Sequence, residues 1–117
     1  MTELAAPALS VIAPTYREAA NVPVLFERLK NVLAGLDWEL IIVDDDSPDG
    51  TADVAVALAA DDRRIRCVRR VNRLGLAGAV IEGVLSSSAE LVAVIDADMQ
   101  HDESVLPRLR QALIVGA

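Results

Sequence analysis

The sequence predicts an α/β domain built on a doubly wound, mostly parallel sheet, and three observations predict it. Four short runs rich in Val, Leu and Ile are apolar on both faces, as strands covered on both sides must be. The stretches between them change to helical spacing, which gives the alternating order of an α/β fold. Three of the four runs end in acidic or polar residues, at the sheet edge where such folds place their ligands. The chain has 117 residues, 53% of them hydrophobic and 25% charged, which suits a single domain with a substantial core. With aromatics at 3%, that core is expected to consist of Ala, Val, Leu and Ile.

The first strand is expected at Ala8–Ala13, ended by Pro14. Leu25, Leu29, Val32, Leu33 and Leu36 then fall at helical spacing. The second strand, Leu40–Val43, closes on Asp44-Asp45-Asp46. Ser47-Pro48-Asp49-Gly50-Thr51 reads as a turn and helix cap leading into an Ala-rich helix to Ala60. The third and weakest run, Ile65–Val68, has arginines interleaved. Leu76, Val80 and Val84 mark a third helix, opened by Gly75-Leu76-Ala77-Gly78. The fourth run, Leu91–Ile95, ends at Asp96, and Val105, Leu106, Leu109 and Leu113 suggest a last short helix from near Asp102. Right-handed crossovers would join these elements. Because the sequence stops after a helix with no further strand, it is expected to be truncated at the C-terminus, a part of a larger domain.

Composition excludes several classes. The formal charge of −7, from 18 acids against 11 bases, argues against nucleic acid as a partner. No apolar run approaches the ~20 residues that span a bilayer. The start Met-Thr-Glu-Leu does not read as a signal peptide, and a single cysteine, Cys67, permits no internal disulfide, so a cytoplasmic setting is expected. Cys67 and Trp38 read as packing residues.

The acids carry the functional signal. Pro14-Thr15-Tyr16-Arg17-Glu18, Asp44-Asp45-Asp46 and Asp96-Ala97-Asp98-Met99-Gln100 all follow strands, so the fold brings them to one sheet edge. So many carboxylates together repel one another, and a bound cation ordinarily offsets that. Asp96 and Asp98 are two apart and would project to one side, followed by Gln100. Oxygen ligands without a cysteine or histidine pair suit a hard ion, Mg²⁺ or Mn²⁺, which shares its shell with substrate phosphates. Asp49, Asp53 and Asp102 read instead as helix caps and turn formers.

These same segments, with Val11–Glu18, Ile41–Thr51, Leu74–Ala79 and Ile95–His101 in order, resemble the dolichol-phosphate mannosyltransferase branch of the family 2 glycosyltransferases. The resemblance covers nearly the whole chain, and Ser-Pro-Asp-Gly-Thr together with Asp-Ala-Asp-x-Gln makes it specific. It implies a GT-A fold of Rossmann type, with residues 1–117 as its N-terminal nucleotide-sugar-binding part. It also implies transfer of a hexose, mannose or glucose, from GDP-mannose or a UDP-sugar to a dolichyl or undecaprenyl phosphate, with inversion, at the cytoplasmic face of a membrane. Carried across, Pro14, Tyr16 and Glu18 would contact the base, with Val43 and Asp45 near base and ribose. Asp96 and the backbone of Ala97 would line the nucleotide site. Asp98 and Gln100 would hold the divalent ion with Asp96 beside them, and Asp96 and Asp98 are the candidate catalytic residues. The acceptor phosphate is already anionic, so no strong protein base is required.

Two positions depart from the family pattern: Arg17 stands where Asn is usual and Asp46 where Gly is usual. Gly75-Leu76-Ala77-Gly78 lacks the fingerprints of dinucleotide and phosphate loops and reads as close helix packing that shapes the donor pocket. The six arginines from Arg63 to Arg73 read as a solvated edge, or alternatively as a basic patch for an anionic membrane. His101 reads as a surface residue or a neighbour of the ion's ligands. Among rival functions, a receiver-type signalling domain would need a lysine late in the chain, and the one lysine is Lys30. A nucleotidyltransferase would need a Gly-rich basic loop where Pro14-Thr15-Tyr16 stands. A domain that binds a sugar nucleotide without transferring the sugar would keep the same fold.

Overall fold

The computed structural model describes residues 7–71, 75–98 and 107–111. Strands and helices alternate as β1 (Leu9–Thr15), α1 (Asn21–Val32), β2 (Trp38–Asp44), α2 (Thr51–Asp61), β3 (Ile65–Arg69), α3 (Leu76–Ser86) and β4 (Leu91–Val94). Residues 107–111 are also helical, while the expected start of that helix near Asp102 lies outside the described residues. The four strands form one sheet in the order β3-β2-β1-β4, and every neighbouring pair is parallel.

Strand alternation assigns each apolar residue to a face. Leu9, Val11, Ala13, Leu40 and Ile42 pack with Val22, Leu25, Phe26 and Leu29 of α1 and Ala55 of α2. Ile12, Ile41 and Val43 face the other way and pack with Ala79 of α3. Helices on both sides bury all seven residues of β2, which is why its sequence runs apolar without alternation. Helix α3 lies close on the sheet because Gly83 has no side chain. A Cβ there would come within 2.5 Å of Ile12 Cγ2 and 3.2 Å of Val43 Cγ2. No helix among the described residues is long and apolar enough to cross a membrane.

β1, β2 and β3 end later than apolar periodicity indicates. β1 continues through Pro14, opposite Val43, to Thr15, opposite Asp44. Pro14 is tolerated because pairing with β4 ends at Ile12↔Val94, so the missing N–H forfeits no ladder bond. On the β2 side the ladder continues, and Thr15 O accepts from Asp45 N at 3.1 Å. At the other edge β4 stops at Val94, although Ile95 N still donates to Ile12 O at 3.0 Å.

Candidate functional site

The chain steps from β1 to β2 to β3 in one direction, and β4 then returns to the far side of β1. At such a reversal the loops leaving neighbouring strands part, and a crevice opens at the carboxyl ends. A cleft of about 390 Å³ lies there, lined by Pro14, Thr15, Tyr16, Asp45, Gly75, Leu76 and Ala79. It is therefore built from the end of β1, the residue after β2 and the start of α3.

The three consecutive aspartates take three different roles. Asp44 is fully buried and accepts hydrogen bonds from Thr15 Oγ1 at 2.8 Å, Ser47 N at 2.9 Å and Ser47 Oγ at 2.6 Å. It closes the turn after β2. Asp45 is the cleft residue: its Oδ2 accepts from Gly75 N at 3.0 Å, and its Oδ1 lies 3.1 Å from Arg70 Nη1. Asp46 pairs with Arg69 at 2.6 Å. Within Asp44–Asp46, hydroxyl and amide donors and two arginines at the end of β3 offset the repulsion between the carboxylates.

The arginine-rich segment is largely taken up in the same way. Arg64 pairs with Asp62 at 2.7 Å and Arg66 with Glu39 at 2.9 Å, besides Arg69 and Arg70. Arg73 lies outside the described residues. Arg70, 7% exposed beneath the cleft, is a residue the sequence reading missed. Its signal was positional: it follows β3 one residue after Arg69, which stands in register with Asp44.

Of the residues expected around a nucleotide, the fold brings Pro14, Tyr16 and Asp45 together in the cleft, with Tyr16 exposed. Val43, expected near base and ribose, is fully buried with its side chain packed against α3, which leaves its backbone as the part a ligand would meet. Glu18 is half-buried at the entry to α1 and is not among the residues lining the cleft. Its carboxylate accepts from Asn21 Nδ2 at 2.5 Å and its N–H donates to Thr51 Oγ1 at 3.0 Å, which ties the β1–α1 loop to α2. Asp49 supports that junction, accepting from Thr51 N at 3.1 Å and Ala19 N at 3.2 Å, and the Thr51 hydroxyl holds its carboxyl below the usual range. Asp53 stands in the first turn of α2, where the helix dipole favours an acid.

Asp96 and Asp98 follow β4 and are both exposed, while Ala97 between them is buried with the α1 and α2 core. Gln100, His101 and Asp102 lie outside the described residues. Among the described residues no group of three His, Cys, Asp or Glu side chains is placed to hold a metal ion. Cys67 is half-buried on β3, and burial pushes its thiol up to about 11, in keeping with a packing role. Gly75-Leu76 lines the cleft, and Gly78 gives room to Arg70, since a Cβ there would lie 2.6 Å from Nη2. Arg17 and Asp46, the two departures from the family pattern, both have positive φ, 58° and 55°.

A dolichol-phosphate mannosyltransferase from Pyrococcus furiosus is 42% identical over 109 residues, which cover 93% of this chain and 31% of that protein. An undecaprenyl-phosphate mannosyltransferase from Micrococcus luteus is 37% identical over 105 residues, covering 87% of this chain and 42% of that protein. The chain thus spans between about a third and two fifths of the length of these curated relatives. A solved mannosyltransferase from Pyrobaculum calidifontis, in complex with GDP-Man and Mn²⁺, matches with a TM-score of 0.68 at 22% identity, covering 92% of this chain and 33% of that one. That likeness is one of fold, the GT-A fold. Residues 10–116 match the family model described as glycosyl transferase family 2, and by that match over nearly its whole length the chain belongs to this family.

Proposed function

We propose that this chain carries the nucleotide-sugar-binding part of an inverting hexosyltransferase, one that moves a hexose from a GDP- or UDP-sugar to a polyprenyl phosphate. One observation carries the reading. Pro14 in β1, Tyr16 just after it and Asp45 just after β2 line a single cleft at the carboxyl end of β1, the strand from which the sheet order reverses. The printed names of the relatives, dolichol-phosphate and undecaprenyl-phosphate mannosyltransferase, favour mannose as the sugar and a polyprenyl phosphate as the acceptor. Such an acceptor lies in a membrane, so the whole enzyme would work at a membrane surface, on its cytoplasmic face.

In this reading Tyr16 offers a ring face and Asp45 a carboxylate to the nucleotide, with the backbone at Val43 alongside. Glu18 holds the β1–α1 loop in place from outside the cleft lining. Asp96 and Asp98, exposed carboxylates beside the end of β1, are hard oxygen donors that fit Mg²⁺ or Mn²⁺, and Gln100 would join them. When bound, the ion would neutralise charge developing on the departing diphosphate. The test is calorimetric titration of the chain with GDP and UDP, each with and without Mn²⁺. Binding of one nucleotide, strengthened by Mn²⁺, is expected. No binding of either by the folded chain would sink the proposal.

A further inference from the structure

The residue that bends the chain away from β1 also holds one wall of the cleft. Tyr16 lines the cleft and is 49% exposed, so its ring is open to a ligand. Among the described residues its hydroxyl takes no hydrogen bond, and the guanidinium of Arg17 stands over its ring, 5.5 Å from the centre. Neighbouring residues of an extended chain point to opposite sides. Arg17 turns back over the ring of the residue before it because its own backbone is left-handed, with φ 58°. Its N–H donates to Ser47 Oγ at 2.9 Å, which ties that bend to the turn after β2.

The chain carries a net charge of −7, and Arg64, Arg66 and Arg69 each pair with a carboxylate. The Arg17 guanidinium pairs with none among the described residues and lies over Tyr16 instead. A left-handed backbone costs an arginine more than a glycine or an asparagine. Strain of this kind persists where the surroundings impose it, commonly at ligand sites. A guanidinium is flat and stacks on an aromatic face. A ring restrained in this way has lost rotational freedom before a ligand arrives, so stacking on it costs less ordering. We infer that, with the cleft read as the nucleotide site, Arg17 is a positioning residue: it holds the Tyr16 ring ready for the base to stack against.

The experiment is a double-mutant cycle. The unaltered chain, Arg17→Asn, Tyr16→Leu and the double variant are each melted, and each is titrated with GDP and UDP in the presence of Mn²⁺. Tyr16→Leu should weaken binding about fivefold or more, the worth of one stacked base. Arg17→Asn should weaken it about two- to fivefold, the worth of an exposed contact between cation and ring. Its melting temperature should rise at the same time, whereas a merely structural role would move stability and affinity together. Arg17→Lys, which keeps the charge without the flat face, should keep part of the affinity. In the Tyr16→Leu background, Arg17→Asn should cost nothing further. If it costs as much there, Arg17 meets the ligand itself, and the inference is overturned while the nucleotide site stands. Unchanged binding in either single variant overturns it too. No binding by the unaltered chain overturns the nucleotide site and the inference with it.

Discussion

Two residues at the rim of the cleft hold a backbone conformation that their side chains disfavour. Arg17 has φ 58° and Asp46 φ 55°, in the left-handed region that suits Gly and, to a lesser degree, Asn. These are the positions where the resembled family carries Asn and Gly, so the departures exchange tolerant residues for strained ones. The conformations persist because neighbours fix them. Arg17 N donates to Ser47 Oγ at 2.9 Å, its guanidinium lies 5.5 Å from the centre of the Tyr16 ring, and Asp46 pairs with Arg69. The strain at Arg17 is worth about 1 kcal/mol, and the exposed contact with Tyr16 returns about 0.5 kcal/mol. Arg17→Asn should therefore stabilise the chain by about 0.5 kcal/mol, raising the melting temperature by about 2–4 °C. Asp46→Gly should be close to neutral, since relief of strain is offset by the lost ion pair and the freer unfolded chain. Thermal melts of both variants check this, and a lower melting temperature for Arg17→Asn would contradict it.

Where α2 hands over to β3, one acid organises the junction. Asp62 ends the helix and accepts from Arg64 N at 2.9 Å, Nε at 3.0 Å and Nη2 at 2.7 Å. Hydrogen bonds from the Arg64 side chain hold its carboxyl down at about 2. A carboxyl lowered on folding adds stability that is present above its unfolded value near 4 and lost as pH falls towards 2. Since the pair is partly exposed, with 43% and 21% of its side chains accessible, solvent limits the contribution to about 0.5–1 kcal/mol. Denaturant melts at pH 5 and pH 2 should show the unaltered chain losing that much more than Asp62→Asn, and a difference that does not change with pH would count against it. The elements themselves were legible because burial on both faces writes continuous apolar runs for β1 and β2. Their ends were not, because apolar periodicity passes over polar residues whose partners come from elsewhere in the chain. Asp44 belongs to β2 through Thr15, and Glu39 through Ser10 at 2.6 Å and Arg66 at 2.9 Å. Arg70 was illegible for the same reason, since only the pairing of β3 with β2 shows that it faces Asp45 rather than water. That the segments holding Pro14, Tyr16 and Asp45 come together was legible because the fold class dictates which strand ends meet, while these three residues were singled out by the family resemblance.

Across the whole molecule, the sheet order divides the candidate site into two groups that can be altered separately. Pro14, Tyr16 and Asp45 hang from β1 and β2, and Asp45 is held by the buried Arg70 and by Gly75 N. Asp96 and Asp98 hang from β4, which pairs with β1 over only four residues and leaves both carboxylates exposed. Changes at the first group should disturb packing as well as binding, because Asp45 is buried and paired. At the second, an exposed aspartate in a chain of net charge −7 can be removed with little effect on stability, within about 0.5 kcal/mol. Asp98→Ala should therefore leave the melt unchanged and nucleotide binding without metal intact. It should abolish the gain in affinity that Mn²⁺ brings, because a hard ion that loses one of its carboxylates loses most of its hold on the protein. Titration of the variant with GDP and UDP, with and without Mn²⁺, measures each part separately. If Mn²⁺ strengthens binding to the variant as much as to the unaltered chain, Asp98 is not a ligand and the ion is held elsewhere. If binding without metal falls as well, the two groups are coupled through β1 and the division drawn from the sheet order fails.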